Sequence, residues 1–265
     1  MNTLRLAWDR TILELKMYAR ERDMVIFSFL FPVIMLAIFG VVFSSEIDAG
    51  EKAQGMNAAR VFLPGMIAAG VLLTSFQTLA MSVAIERDDG TLKRLRGTPL
   101  PPVAYFLGKV GLVLITALAQ LALLLVVARF VFDVRMPTEP AAWLHFAAFF
   151  VVAVVGGTTL GVAYSSLANP RSVTAVVVGP LLVLQFISGV YFTFGALPSW
   201  LQQIAAVFPL KWIAQGMRSV FYPASWAGQE MTGTWEVGRT LLVLAVWAVS
   251  GLVLCLRTFR WTRDS

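Results

Sequence analysis

The chain has 265 residues, 58% of them hydrophobic and 14% charged, against about 25% charged and roughly 45–50% apolar in a soluble domain. With a mean hydropathy of +0.77, this excludes an ordinary soluble surface. The net charge of +6 sits beside apolar runs and not on one long polar face, which points to a membrane and away from nucleic acid.

Residues 1–23 read as an amphipathic helix. Leu4, Trp8, Ile12, Leu15 and Tyr18 recur at steps of three and four, forming one stripe with charges of both signs around it. Such a helix lies along the inner membrane surface or packs on its own protein, and the two placements are compatible. Its charges, Arg5, Arg10, Lys16, Arg20 and Arg22 against Asp9, Glu14, Glu21 and Asp23, are too many and too mixed for a signal-peptide n-region.

Residues 24–256 read as one membrane domain. Six apolar stretches approach the length of about 20 residues that a bilayer core requires: 24–43, 61–85, 104–128, 143–167, 173–194 and 241–256. In lipid the backbone must satisfy its own hydrogen bonds, so these are helices. No ten-residue alternation supports a barrel. The fold class is therefore an all-α membrane protein with six spans. Gly179-Pro180 predicts a kink in the fifth. The outer region 195–240 is too short to span and reads as a re-entrant or interfacial hairpin, with Trp200, Trp212, Tyr222, Trp226 and Trp235 suited to the headgroup layer. Residues 257–265 form a tail.

Orientation follows from the cations. With the N-terminus inside, the inner segments hold Arg5, Arg10, Lys16, Arg20, Arg22, Arg87, Lys93, Arg94, Arg96, Lys109, Arg171, Arg257, Arg260 and Arg263, fourteen of the twenty-one Lys and Arg residues. The positive-inside rule places both termini in the cytoplasm.

Chemistry is notable for what is missing. The sequence has no P-loop; Gly108-Lys109 lacks the earlier glycine and the following hydroxyl. It has no cysteine cluster and no His-Glu-x-x-His, so no metal or cofactor is expected on this chain. His145 is the single histidine and Cys255 the single cysteine; they read as an interfacial polar residue and a small buried hydrophobe. No Asp, Glu, Lys or Arg lies near the middle of a proposed span, which weighs against a proton-coupled carrier. Sodium coupling through carbonyls and hydroxyls alone stays open; otherwise, if the protein transports uphill, its energy is expected from outside the membrane.

The inner loop 86–103 is where it would enter. Asp89 or Thr91 starts a short helix and Gly97 and Pro99 stop it. Leu92 and Leu95 share a face, and Lys93, Arg94 and Arg96 crown the rest. This reads equally as a handle for a cytosolic partner and as a basic loop that only sets topology. In the fourth span Ala153, Gly157, Gly161 and Ser165 recur every four residues and form a ladder for close helix packing within the chain or between copies. Gln77, Gln120 and Gln185, with Phe76 and Phe186, are the pathway candidates, although buried amides more often bond neighbouring helices.

Glu86-Arg87-x-x-Gly90-Thr91-Leu92-Lys93-Arg94-Leu95-Arg96-x-Thr98-Pro99-Leu100, running into Tyr105 and Lys109, resembles the segment after the second span of type-2 ABC exporter permeases. The nearest likeness is to bacterial drug-resistance and antibiotic-export permeases of the daunorubicin type. Phe186-x-Ser188-Gly189-Val190-Tyr191-Phe192, then Leu197-Pro198-x-Trp200-Leu201 and Phe208-Pro209-Leu210, resemble the fifth span and outer hairpin of that family; Thr193 stands where relatives often have proline. The resemblance spans essentially the whole chain. It implies the six-helix fold of G-subfamily exporters, a second permease copy and a separate ATPase that binds the ATP and magnesium. It also implies that Glu86, Arg87, Asp88, Gly90, Thr91, Leu92, Arg94, Leu95 and Arg96 act in ATPase coupling, with Glu86 at the membrane-facing end and residues 1–23 as a connecting helix. An ion-coupled carrier or channel, an intramembrane enzyme and an anchoring protein are the rival readings.

Overall fold

The computed structural model describes residues 3–167 and 173–259. Arg171, Arg260 and Arg263, counted above among the inner cations, lie outside the described residues. Every regular element among the described residues is helical. The helix α1 (Thr3–Arg20) is joined through Glu21 to α2 (Arg22–Val42), followed by the short α3 (Ala49–Ala53). Next come α4 (Ala58–Leu72), a π-turn (Leu73–Gln77) and α5 (Thr78–Asp88), which together make one continuous 31-residue span. A six-residue helix, α6 (Thr91–Arg96), leads into α7 (Pro102–Phe130) and α8 (Pro140–Tyr164). The remainder is α9 (Val173–Ile187), the hairpin α10 (Ser199–Val207) and α11 (Pro209–Phe221), and α12 (Val237–Thr258).

Five helices are long and apolar enough to cross a bilayer: α2, α4–α5, α7, α8 with its terminal turn to Leu167, and α12. The fifth expected span, 173–194, differs. Its helix α9 stops at Ile187 after 15 residues, where Ser188-Gly189 breaks it and Gly189 adopts a left-handed φ of 73°. The chain then runs through an irregular segment to the hairpin. That segment is buried against α4, where a Cβ on Gly65 would stand 2.4 Å from the Val190 carbonyl oxygen.

The α4–α5 span is the axis of the fold. Of its apolar stretch 78% is buried, against 17% for α2 and 28% for α12, so the outer helices present their apolar faces to lipid. The α10–α11 hairpin packs against α4, α8 and α12. At its tip two indoles meet backbone carbonyls: Trp212 Nε1 donates to Ala206 O at 2.7 Å and Trp247 Nε1 to Val207 O at 3.0 Å. Above the tip, Arg218 holds the α9 break and the outer loop together, donating to Gly189 O at 3.0 Å and pairing with Glu230 at 2.6 Å.

Candidate functional site

At the opposite end of the bundle the inner loop forms a built site. The second span ends at Asp88 and the chain turns at Asp89-Gly90. Gly90 takes a left-handed φ of 74° with open space around it, so its demand for glycine is torsional and not steric. Asp89 Oδ1 accepts the Thr91 N–H at 2.8 Å and so starts α6. At the other end Gly97 N–H bonds Arg94 O at 3.1 Å, and the Thr98 hydroxyl donates to Leu95 O at 2.7 Å. Leu92 is fully buried and Leu95 half-buried. Lys93, Arg94 and Arg96 are exposed. The helix is thus fixed to the bundle by its leucines and turns its cations outward.

Behind α6 lies a cluster of buried charges. Lys109, eight residues into α7, places its ammonium 2.6 Å from Glu86 Oε1 and 2.8 Å from Glu14 Oε2, and donates to Ser82 Oγ at 2.8 Å. These contacts use all three of its donors. Tyr105 donates its hydroxyl to Glu86 Oε2 at 2.7 Å. Arg10 meets Glu14 at 2.5 Å as a charge contact without hydrogen-bond alignment and stands 3.8 Å from Glu86. Both cations also lie over the Tyr105 ring, at 5.5 and 5.7 Å from its centroid. Two cations and two carboxylates cancel, as buried charges must. The cluster ties α1, α5 and α7 together one turn from the start of α6.

Close packing makes it reachable. A Cβ on Gly108 would fall 2.4 Å from Arg10 Cγ, and one on Gly111 2.3 Å from Thr11 Oγ1; these glycines let α1 lie directly on α7. The face of α1 turned inward is Ala7, Arg10, Thr11, Glu14 and Tyr18. Of the apolar stripe expected to define the helix, only Tyr18 belongs to that face, while Leu4 and Trp8 are exposed. The helix therefore buries its polar side in protein and offers apolar side chains outward, which suits the inner membrane surface. Burial raises the Tyr18 phenol above its ordinary value, opposed by its hydrogen bond with Ser28, and keeps it neutral where α1 meets α2. An open cleft of 450 Å³ lies beside the cluster, lined by Glu14, Tyr18, Thr78, Ser82 and Glu86 among others.

The other sequence-derived residues divide. Glu86 and Leu92 point into the bundle, whereas Asp88, Arg94 and Arg96 face out. Arg87 reaches sideways to Ser165, the last rung of the α8 ladder, donating to its carbonyl at 2.8 Å and its hydroxyl at 3.1 Å. The ladder itself packs inside the chain on the π-turn: a Cβ on Gly157 would meet Ser75 Oγ, and one on Gly161 would lie 2.6 Å from Phe76 O. Ala153 is buried on the same face. Among the pathway candidates, Gln120 donates to Ser28 O at 2.9 Å and Gln185 accepts from Tyr191. Both amides are buried and bonded to neighbouring groups. Phe76 and Gln77 are half-buried and Phe186 is exposed. Sequence reasoning did not single out Arg10, Glu14 or Ser82. The usable signal was Lys109, a lone cation inside an apolar helix that needs a carboxylate partner.

Residues 4–222 match the family model of the ABC-2 type transporter. The chain belongs to that family. No curated protein matches the chain. The match begins in α1 and ends just after α11, so it takes in the charge cluster, α6 and the outer hairpin. An ABC-2 chain is a multi-pass membrane permease component of an ABC transporter, which meets the expectation of a type-2 permease with an all-helical fold. In this ABC-2 permease, then, the membrane domain carries a short cationic helix braced by a neutral, buried ion cluster.

Proposed function

We propose that this chain is the membrane subunit of an exporter that moves an amphiphilic cargo (a drug, an antibiotic or a lipid-like molecule) outward, driven by ATP hydrolysed on a separate ABC ATPase docked at α6. Both termini lie in the cytoplasm, ATP and magnesium belong to the ATPase, and a second permease copy, identical or related, completes the pathway. The observation that carries the reading is the division of α6: its leucines are sunk in the bundle and its cations are turned out, directly below the Arg10–Glu14–Glu86–Lys109 cluster.

The mechanical logic is direct. A helix of six residues is too short to be stable alone, so α6 holds its shape because Leu92, Leu95, the Asp89 cap and the Gly97 stop hold it. A push on it reaches α5 through the two-residue Asp89-Gly90 turn, and reaches α1 and α7 through Glu86. The cluster keeps these three helices moving as one body, as a rigid-body switch between two states requires. Arg87 extends the same body to the inner end of α8.

The test is co-purification with the ATPase after charge reversal. Arg94→Glu with Arg96→Glu is expected to leave the permease folded, since both side chains are exposed, and to weaken docking by at least tenfold with loss of cargo-stimulated ATP turnover. Leu92→Asp is expected instead to lower the yield of folded permease, because it buries a charge without a partner. Undiminished docking and transport in the Arg94→Glu/Arg96→Glu variant would reject the role given to α6.

A further inference from the structure

Of the seven cations assigned to the outer side, four are plainly accounted for. Lys211 and Arg218 face Glu230, Arg239 pairs with Glu236 at 2.8 Å, and Lys52 lies on the exposed helix α3. The other three, Arg60, Arg129 and Arg135, converge on one open cavity of 590 Å³ at the outer ends of α4, α7 and α8. Cations on this side run against the positive-inside tendency, and three at one cavity call for a reason beyond topology.

Two of them carry uncompensated charge. Arg60 donates only to backbone carbonyls, to Phe221 O at 2.7 Å and to Gly55 O at 3.0 Å. Those bonds fix the guanidinium in place and leave three of its five N–H donors unused. Arg135 makes no ion pair among the described residues and lies across Gly55, where a Cβ would stand 2.6 Å from its Nη1. Gly55 itself has a left-handed φ of 75°, so this resting place needs glycine on two counts. Arg129 is offset by Asp133 through an exposed pair. Glu139 is the single carboxylate on the cavity wall, and Met136, Pro137, Ala142 and Val220 supply the apolar part. Next to Arg129 in the chain, Phe130 and Val131 are exposed, at 81% and 68%, and offer an apolar surface for acyl chains to cover.

We propose that this cavity binds the phosphate of an anionic lipid headgroup in the outer leaflet, with Arg60 and Arg135 as the phosphate donors and Phe130 and Val131 against the acyl chains. Planar guanidinium forks match phosphate oxygens bidentately. The site is separate from α6, being at the other end of the bundle, and its failure would leave the ATPase-coupling reading intact.

The experiment uses the full chain, reconstituted in nanodiscs of phosphatidylcholine with increasing phosphatidylglycerol. Retained lipid is counted by native mass spectrometry and thermal stability is followed in parallel. Retention of one or more phosphatidylglycerol molecules per chain, with a rise in Tm, is expected. Arg135→Gln, which removes an exposed side chain without a bond, should weaken that retention about tenfold, the value of one charge-assisted contact. Arg239→Gln, another exposed outer arginine, should leave it unchanged. Equal retention by Arg135→Gln and wild type, or equal loss in Arg239→Gln, overturns the site. If inorganic phosphate alone, added in detergent, reproduces the whole Arg135-dependent stabilisation, the lipid assignment is overturned and a free-anion site stands in its place.

Discussion

Lys109 and Glu86 are the residues on which the inner end of the molecule turns. Removing one partner of a buried ion pair strands the other and costs about 3–5 kcal/mol. Lys109→Met leaves Glu14 and Glu86 to share Arg10 as their one remaining cation in the cluster, and Glu86→Gln leaves Lys109 and Arg10 to share Glu14. Each single change should therefore lower the unfolding midpoint in detergent. The double variant should fall short of their sum by about 1–3 kcal/mol, the coupling of two groups in direct contact. Additive losses would show that the pair does not act as a unit. Gly90 is a second residue-scale case, of a different kind. Nothing surrounds it, so Gly90→Ala meets no clash but must hold a left-handed backbone at a cost of about 1–2 kcal/mol. Stability should drop modestly, with ATP turnover in the complex dropping more, because the turn also sets the angle at which α6 leaves α5.

At the scale of elements, α8 provides its own control. Gly161→Ala places a Cβ 2.6 Å from the backbone oxygen of Phe76, which cannot rotate away, whereas Gly156→Ala meets Ala248 at an ordinary 3.6 Å. The first should destabilise by about 1–3 kcal/mol and the second should be close to neutral, read as thermal midpoints of the two variants side by side. The π-turn at Leu73–Gln77 lies at this contact, and the Leu73 carbonyl there accepts both the Thr78 N–H and the Thr78 hydroxyl, the latter at 2.9 Å. The π-turn left no trace in the sequence, since Leu-Thr-Ser-Phe-Gln fits an α-helix as well. Other elements were legible. Leu92 and Leu95 at a spacing of three told which side of α6 is buried, and five of the apolar runs fall on the long helices α2, α4–α5, α7, α8 and α12. One feature misled: apolar residues continue beyond Ile187, so hydropathy extended the fifth span over a break that Ser188-Gly189 makes. In α1 the stripe was read as lying along a membrane surface or packing on the protein; polar side chains take the protein side there, while Leu4 and Trp8 stay exposed. The charge cluster was hidden for a different reason: Glu14 and Lys109 lie 95 residues apart, and no local pattern announces a partner that distant.

As a whole, the molecule separates its two ends. One end holds a buried ion cluster of two cations and two carboxylates beside a cationic helix, while the other holds a hairpin clasped by Arg218 and Glu230 and an arginine-lined cavity. Between them runs one continuous 31-residue helix, Ala58–Asp88, most of it buried, which carries Arg60 near one end and Glu86 near the other. Its apolar helices and its membership of the ABC-2 family describe a multi-pass membrane permease component of an ABC transporter. The most direct measurement is cargo accumulation in proteoliposomes, comparing the purified chain alone with the chain plus its ATPase and ATP under no ion gradient. The account predicts uphill accumulation only when ATPase and ATP are both present, and its loss with Arg94→Glu/Arg96→Glu. Sustained accumulation by the chain alone would contradict it.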